Sequence, residues 1–223
     1  RSISDSKVGN AEVKFQFSAK FKLADNVFVN KGDLYFAYTQ RSWWQAYNSE
    51  ASSPFRETNF EPEFFVSFDN DMSMMGWTNI QNRVAFNHQS NGRSEPLSRS
   101  WNRLYVESIF QSGDWVVSVA PHWRIPESEE EDDNPDIERY MGYGDITLAR
   151  RLNDDHEASL LVRGNPAAGH MGYQFDYSLP LSNSMRWHIQ YYHGYGESLV
   201  DYDNNNHRLS IGFSLNSFFT NAR

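Results

Sequence analysis

Hydrophobic and polar residues alternate along most of this chain. In 13–21, Val13, Phe15, Phe17, Ala19 and Phe21 interleave with Lys14, Gln16, Ser18 and Lys20. In 60–68, Phe60, Phe64, Val66 and Phe68 fall on one face, and Glu61, Glu63 and Ser67 on the other. The same rhythm returns in 115–125, 171–179 and 209–215, the last with Leu209, Ile211, Phe213 and Leu215 against Ser210, Gly212 and Ser214. A period of two places successive side chains on opposite faces of a strand. The pattern predicts strands near 12–22, 33–43, 59–69, 76–88, 99–111, 114–125, 139–151, 156–164, 170–181, 185–195 and 207–216, with no capped helix competing.

Alternation alone does not separate a soluble sandwich or soluble barrel from a membrane barrel. Three details favour the membrane. The face opposite the apolar one carries charges of both signs, among them Arg83, Arg103, Glu107 and Asp145, which a polar lumen would accept. Connections alternate between long (44–58, 89–98, 126–138) and short (70–75, 112–113, 152–155). Aromatic residues gather near strand ends, at Trp43, Trp44, Tyr191, Tyr192 and Tyr195, as in interfacial girdles. Most of the segments have about the 9–11 residues that cross a bilayer when tilted. The expectation is an all-β fold, an antiparallel transmembrane β-barrel occupying residues 1–223 as a single domain. Single-chain bacterial barrels have even strand numbers, so eleven strands predict a twelfth upstream of Arg1. The opening Arg-Ser-Ile-Ser has no initiator Met and no signal-peptide core, which reads as a mature or N-terminally shortened form.

Composition sharpens this picture. Mean hydropathy is −0.71, and no run approaches the roughly 18 apolar residues of a membrane helix. Yet 16% of the residues are aromatic and they are spread along the whole length; a barrel reconciles the two, because only every second residue needs to be apolar. A net charge of −9 argues against nucleic acid as a partner. With no cysteine, disulfide scaffolds, thiolate metal sites and cysteine nucleophiles are excluded together.

The candidate chemistry lies where one predicted strand ends and the next begins. In 76–88 the apolar face is even-numbered (Ile80, Val84, Phe86), and His88 and Ser90 continue it. In 99–111 the apolar face is again even-numbered (Leu104, Val106, Phe110), and Asn102 lies on it. Three polar residues therefore interrupt the outward faces of two hairpin-linked strands, near the outer rim. A serine hydroxyl is a weak nucleophile and needs a base within hydrogen-bond reach. Histidine can be that base, and a third group must hold its tautomer, a role open to the Asn102 side-chain oxygen. Backbone N–H groups around Gly92 are candidate oxyanion donors. Taken alone, His-x-Ser is a two-residue coincidence, and polar groups at strand ends are commonly interfacial. No Gly-x-Ser-x-Gly elbow, Walker loop or His-Glu-x-x-His motif is present, and Gly164-Asn165-Pro166-Ala167-Ala168-Gly169 is a turn without the lysine of a phosphate loop.

Longer motifs point further. Tyr38 through Gln45, Asn48 through Asn59, Asn87 through Arg103, Asp132 through Ile137, Tyr140 through Tyr143 and Gly194 through Leu199 resemble the bacterial outer-membrane phospholipase A family, in the family's order, from about residue 11 to residue 219. The resemblance implies a twelve-stranded barrel in the bacterial outer membrane. It also implies calcium-dependent hydrolysis of phospholipid and lysophospholipid acyl esters by a homodimer. It carries His88 as base, Ser90 as nucleophile and Asn102 as orienter. Calcium (Ca2+) would be held by the Arg93 carbonyl and Ser98, with Ser52 from the partner subunit. Gln40 shares a face with Leu34, Phe36 and Tyr38, and the family uses this position at the dimer interface, where a matching Gln would satisfy an amide otherwise unpaired in hydrocarbon.

The chain departs from the family in places. It continues past Phe218-Phe219 through Thr220-Asn221-Ala222-Arg223, and the run Glu129-Glu130-Glu131-Asp132-Asp133 looks longer than the family loop. The run reads as a solvated outer loop, since consecutive like charges repel and seek water. Two rival readings remain at this point: a non-catalytic pore or adhesin barrel, and a soluble all-β binding protein.

Overall fold

The computed structural model describes residues 12–29, 31–44, 55–183, 185–215 and 217. Its strands are β1 (Val13–Ala24), β2 (Asp33–Trp44), β3 (Phe55–Met74), β4 (Trp77–Ser90), β5 (Ser100–Ser112) and β6 (Trp115–Arg124), followed by a short helix α1 (Ile137–Met141). Then come β7 (Gly144–Arg151), β8 (Glu157–Asn165), β9 (His170–Ser182), β10 (Met185–Gly194) and β11 (Asn206–Ser214). All eleven belong to one antiparallel sheet in simple sequence order. Among the described residues β1 and β11 do not pair, and the expected twelfth strand lies outside them. The sheet nevertheless curls until its ends meet through side chains. Lys14 Nζ on β1 donates to Gln190 Oε1 on β10 at 2.7 Å, and Arg208 on β11 lies 3.3 Å from the Glu12 carboxylate just ahead of β1.

The burial pattern is inverted relative to a water-soluble fold. Phe17, Phe64, Val84, Val106, Trp123, Ile146, Phe175 and Ile211 are exposed on the outer face. The inner face holds the charges. Arg103 is only 8% exposed; it donates to Glu61 at 3.1 Å and to Asn87 at 2.6 Å, and its guanidinium lies 4.2 Å from the Trp101 ring. Arg41 reaches the same Glu61 at 2.8 Å, Arg83 pairs with Glu107 at 3.0 Å, and Arg163 pairs with Asp145 at 2.6 Å. Buried charge is tolerated only when it is paired and hydrogen-bonded, and a belt of exposed aromatic and branched residues fits hydrocarbon rather than water. The expected membrane-barrel wall is therefore what the side chains build.

The ends of the sheet differ. Connections at one end are short, with two residues between β3 and β4 and between β5 and β6. At the other end the longer ones fold over the mouth. Ile137, Met141, Leu199 and Tyr202 pack around Trp101 in the apolar cluster of buried residues. Leu199 N donates to Asn59 Oδ1 and Val200 N to Glu57 Oε1, both at 3.1 Å, so this loop reaches across to β3. Tyr202 donates to Asp136, and burial together with that carboxylate pushes the Tyr202 hydroxyl pKa up, which keeps the donor protonated.

Two sequence expectations are corrected. The strand expected over 139–151 starts only at Gly144, and its first residues form α1. The helix ends at Gly142, whose φ of +71° suits glycine and where a Cβ would sit 1.8 Å from Gly164 O. Five residues are too few for a 3.6-residue rhythm to stand out against alternation. The acidic run also divides. Glu129, Glu130 and Glu131 are solvated, but Asp132 pairs with Arg124 at 2.6 Å and Asp133 accepts a hydrogen bond from Ser98.

Val84→Arg distinguishes the solvents of the outer face. Val84 is 51% exposed near the middle of β4, so in water the change would be nearly neutral, whereas in hydrocarbon it should cost about 2–4 kcal/mol. Guanidinium unfolding from lipid vesicles measures it, and an unchanged midpoint would put this face in water.

Candidate active site

The register of two neighbouring strands assembles the site. His88 on β4 lies directly across from Asn102 on β5, and Ser90 across from Ser100. On its other side Ser90 faces Phe60 of β3. The parity expected from sequence holds: Val84, Phe86, Leu104 and Val106 are exposed on the face that His88, Ser90 and Asn102 continue toward the rim. On the opposite face, Asn87 and Arg103 hydrogen-bond inside the lumen, and Gln89 accepts from Trp101 Nε1 at 2.9 Å. The hydrophilic contacts beneath the sheet thus clamp the strand pair that carries the outward site.

His88 Nδ1 lies 2.8 Å from Asn102 Oδ1. The Asn102 amide nitrogen donates in turn to Glu127 Oε1 at 3.0 Å, in the loop after β6. The acceptor at Nδ1 leaves Nε2 as the basic nitrogen. Ser90 is two residues along the same face, about 6.7 Å away between Cα atoms, and no hydrogen bond joins its Oγ to His88 in this structure. The structure therefore brings His88 and Asn102 into contact and places Ser90 beside them with the serine–histidine bond open, a common state when no substrate is bound.

One side chain ties the two ends of the loop 91–99 together. Asn91 is buried; its Oδ1 accepts from Arg99 N at 2.9 Å and Arg93 N at 3.3 Å, and its Nδ2 donates to Leu97 O at 2.7 Å. Gly92 adopts φ +61°, and a Cβ there would come 3.0 Å from the Phe60 ring. A side chain would strain the backbone and crowd the aromatic wall at once. Ser98 points to Asp133, and Ser100 N donates to the buried Asn134 Oδ1 at 3.0 Å. Sequence reasoning missed Asn91, Glu127, Asp133 and Asn134. Their roles depend on loops meeting across the rim, and only the Asp-Asp-Asn-Pro string hinted at a shaped turn rather than free solvent.

The donor chemistry near the expected calcium position suits a hard cation: the Arg93 carbonyl and the Ser98 hydroxyl are oxygens, and the Asp133 carboxylate adjoins Ser98. Among the described residues no three histidine, aspartate or glutamate groups converge as a ready-made metal cage, so any ion here relies on neutral oxygens and one neighbouring charge. Ser52 lies outside the described residues. Gln40 sits on the outer face between Phe17 and Phe60, but its amide is not unpaired: Tyr38 Oη donates to its Oε1 at 3.0 Å, and its Nε2 donates to Ser42 Oγ at 3.4 Å.

Comparison with known proteins agrees with this architecture. Phospholipase A1 of Escherichia coli strain K12 is 44% identical over 210 residues, 93% of this chain and 71% of the relative. Phospholipase A1 of Klebsiella pneumoniae is 45% identical over the same coverage. The solved outer-membrane phospholipase A of Escherichia coli superimposes with a TM-score of 0.88 at 43% identity, covering 93% of this chain and 85% of that one. The Salmonella typhi outer-membrane phospholipase dimer with bound calcium matches with a TM-score of 0.87 at 43% identity, over 92% and 78% of the two chains. A solved active-site variant of the Escherichia coli protein, with an asparagine replaced by alanine, matches equally well at 0.87. The family model described as phospholipase A1 aligns with residues 2–215, and the chain belongs to that family.

Proposed function

We propose that this chain is a calcium-dependent phospholipase A of the bacterial outer membrane. It hydrolyses acyl esters of phospholipids and lysophospholipids through Ser90, His88 and Asn102. The observation that carries this reading is the His88 Nδ1–Asn102 Oδ1 contact of 2.8 Å on the outward, apolar face of the wall, two residues along the strand from a serine. A soluble hydrolase would bury such a pair in a cleft; here it opens sideways onto lipid, so substrate arrives by lateral diffusion.

Ser90 Oγ attacks the ester carbonyl carbon while His88 Nε2 accepts its proton. Collapse of the tetrahedral intermediate transfers that proton to the leaving alkoxide and leaves an acyl-serine. Water, deprotonated by the same imidazole, then releases the fatty acid. Asn102 holds the Nδ1–H tautomer by accepting its hydrogen bond. Backbone N–H groups around Gly92 are suited to the oxyanion, since the loop there is fixed by Asn91. Calcium, when bound, supplies positive charge where the oxyanion develops. The Arg93 carbonyl and Ser98 would hold it, with Ser52 from the partner subunit.

The solved Salmonella relative is a dimer with calcium, and an asparagine belongs to the active site of the Escherichia coli relative; both support this assignment. A conducting pore fits less well, because ion pairs bridge the strands across the inner face and the Leu199–Val200 segment reaches over the mouth to β3.

Ser90→Ala should leave the folded barrel intact and lower fatty-acid release from phospholipid micelles by at least about a thousandfold; turnover close to wild type would remove Ser90 from the chemistry. Ser98→Ala should raise the calcium concentration for half-maximal activity about tenfold, by deleting one oxygen ligand. A calcium titration with an unchanged midpoint would assign that ligand elsewhere. Gln40→Ala should weaken self-association in detergent about tenfold, or roughly 1.4 kcal/mol. Sedimentation equilibrium reads it, and unaltered association would mean that the Tyr38 and Ser42 contacts exhaust the amide's role.

A further inference from the structure

Asn102 is an ambiguous partner for a catalytic histidine. An aspartate offers oxygen whichever way it turns, but an asparagine offers oxygen in one orientation of its amide and NH2 in the other. Only the first gives His88 Nδ1 an acceptor and leaves Nε2 free to take a proton. Nothing within Asn102 itself favours that orientation, so the surroundings must choose it.

The Glu127 carboxylate stands behind the amide, with Oε1 accepting from Asn102 Nδ2 at 3.0 Å. The reversed amide would set two oxygens against each other at that distance, and His88 would lose its acceptor as well. Glu127 is held for this task. Its side chain is 17% exposed, and its nearest cation, Arg124 Nη2, is 3.9 Å from Oε2, while Arg124 is itself drawn to Asp132 at 2.6 Å. Oε2 is buried without a hydrogen-bond partner of its own. The carboxylate is therefore only partly neutralised by Arg124, and among the described residues the one hydrogen bond it accepts comes from the Asn102 amide.

We infer that Glu127 is a positioning residue for the reaction: it selects the amide orientation of Asn102, and its negative charge polarises that amide toward His88. The pair Asn102–Glu127 then does across two residues what a single carboxylate does in other serine hydrolases. The inference rests on the assignment of Ser90, His88 and Asn102 as the catalytic set.

Steady-state kinetics on phospholipid–detergent mixed micelles at saturating calcium test it, with heat-modifiable electrophoretic mobility checking that each variant is folded. Glu127→Ala should lower kcat about tenfold, the loss of one charge-assisted hydrogen bond, with KM within about twofold. Glu127→Gln keeps an acceptor for Asn102 and should retain about a third or more of kcat. The decisive readout is a change of sign. Asn102→Asp places two carboxylates face to face and should be strongly impaired. Adding Glu127→Gln supplies an amide donor to the new Asp, and the double variant should exceed Asn102→Asp by about tenfold. A structural brace would give losses in both backgrounds.

Unchanged kcat in Glu127→Ala, or no recovery in the double variant, would overturn the inference. If Asn102→Ala and Ser90→Ala abolish turnover while Glu127→Ala leaves kcat unchanged, only this inference falls. Should those two variants themselves retain turnover, the catalytic assignment falls and takes the inference with it.

Discussion

The alignment of β4 against β5 is the constraint on which the site depends. A slip of one residue between them would turn one strand's side chains to the other face, carrying either His88 or Asn102 into the lumen. The hairpin alone could not prevent this, since nine residues separate the strands and a loop of that length accommodates several registers. The contacts beneath the sheet do prevent it. Asn87, Arg103 and Glu61 form a buried hydrogen-bonded group, and Trp101 donates to Gln89. A slip would leave charges unpaired in a low-dielectric interior, which costs several kcal/mol per ion. The lumen polar network, far from any substrate, thus sets the spacing of groups on the lipid side.

That arrangement follows from the solvent on each face. Outside the wall, hydrocarbon accepts Phe64, Val84 and Val106 without cost and penalises anything polar. A catalytic set on that face must therefore satisfy its own polar atoms. His88 bonds Asn102, Asn102 bonds Glu127, and Gln40 is bracketed by Tyr38 and Ser42. The polar row lies near the strand ends, where interfacial water relieves what remains. The same logic explains why the rim loops are not free: Asn91, Asp133 and Asn134 each bind backbone or hydroxyl groups of the segment carrying Gly92, Arg93 and Ser98.

Loop convergence links regions far apart in the chain. Glu127, Asp132 and Asp133 come from the connection between β6 and β7, and the Leu199–Val200 segment from that between β10 and β11. They meet over the mouth because α1 and Trp101 offer an apolar seat there, in a fold whose apolar surface otherwise points to lipid. A small cap core of this kind lets one end of the barrel hold a shaped site while the other end is closed by turns of a few residues.

What the sequence determined by itself was the strand count, the outward and inward faces, and the placing of His88, Ser90 and Asn102 on one apolar face, because alternation with period two is a local property of consecutive residues. Gly92 was legible as a glycine permitting close backbone approach, but its left-handed φ and its contact with Phe60 came only from the structure. What only the tertiary structure decided was which loop residues reach those positions. The acidic run read as solvent-facing, yet Asp132 and Asp133 turn inward, because Arg124 and Ser98 offer partners that no local pattern announces. Gln40 read as an orphan amide, yet Tyr38 and Ser42, two positions away on the same face, satisfy it. Glu127 carried no signal at all: it lies 25 residues from Asn102, and a hydrogen bond between them exists only once β5, β6 and the rim loop have folded into register. Periodicity reports the solvent that each face meets, whereas partnership between distant polar groups is set by strand register and by the loops that meet at the rim.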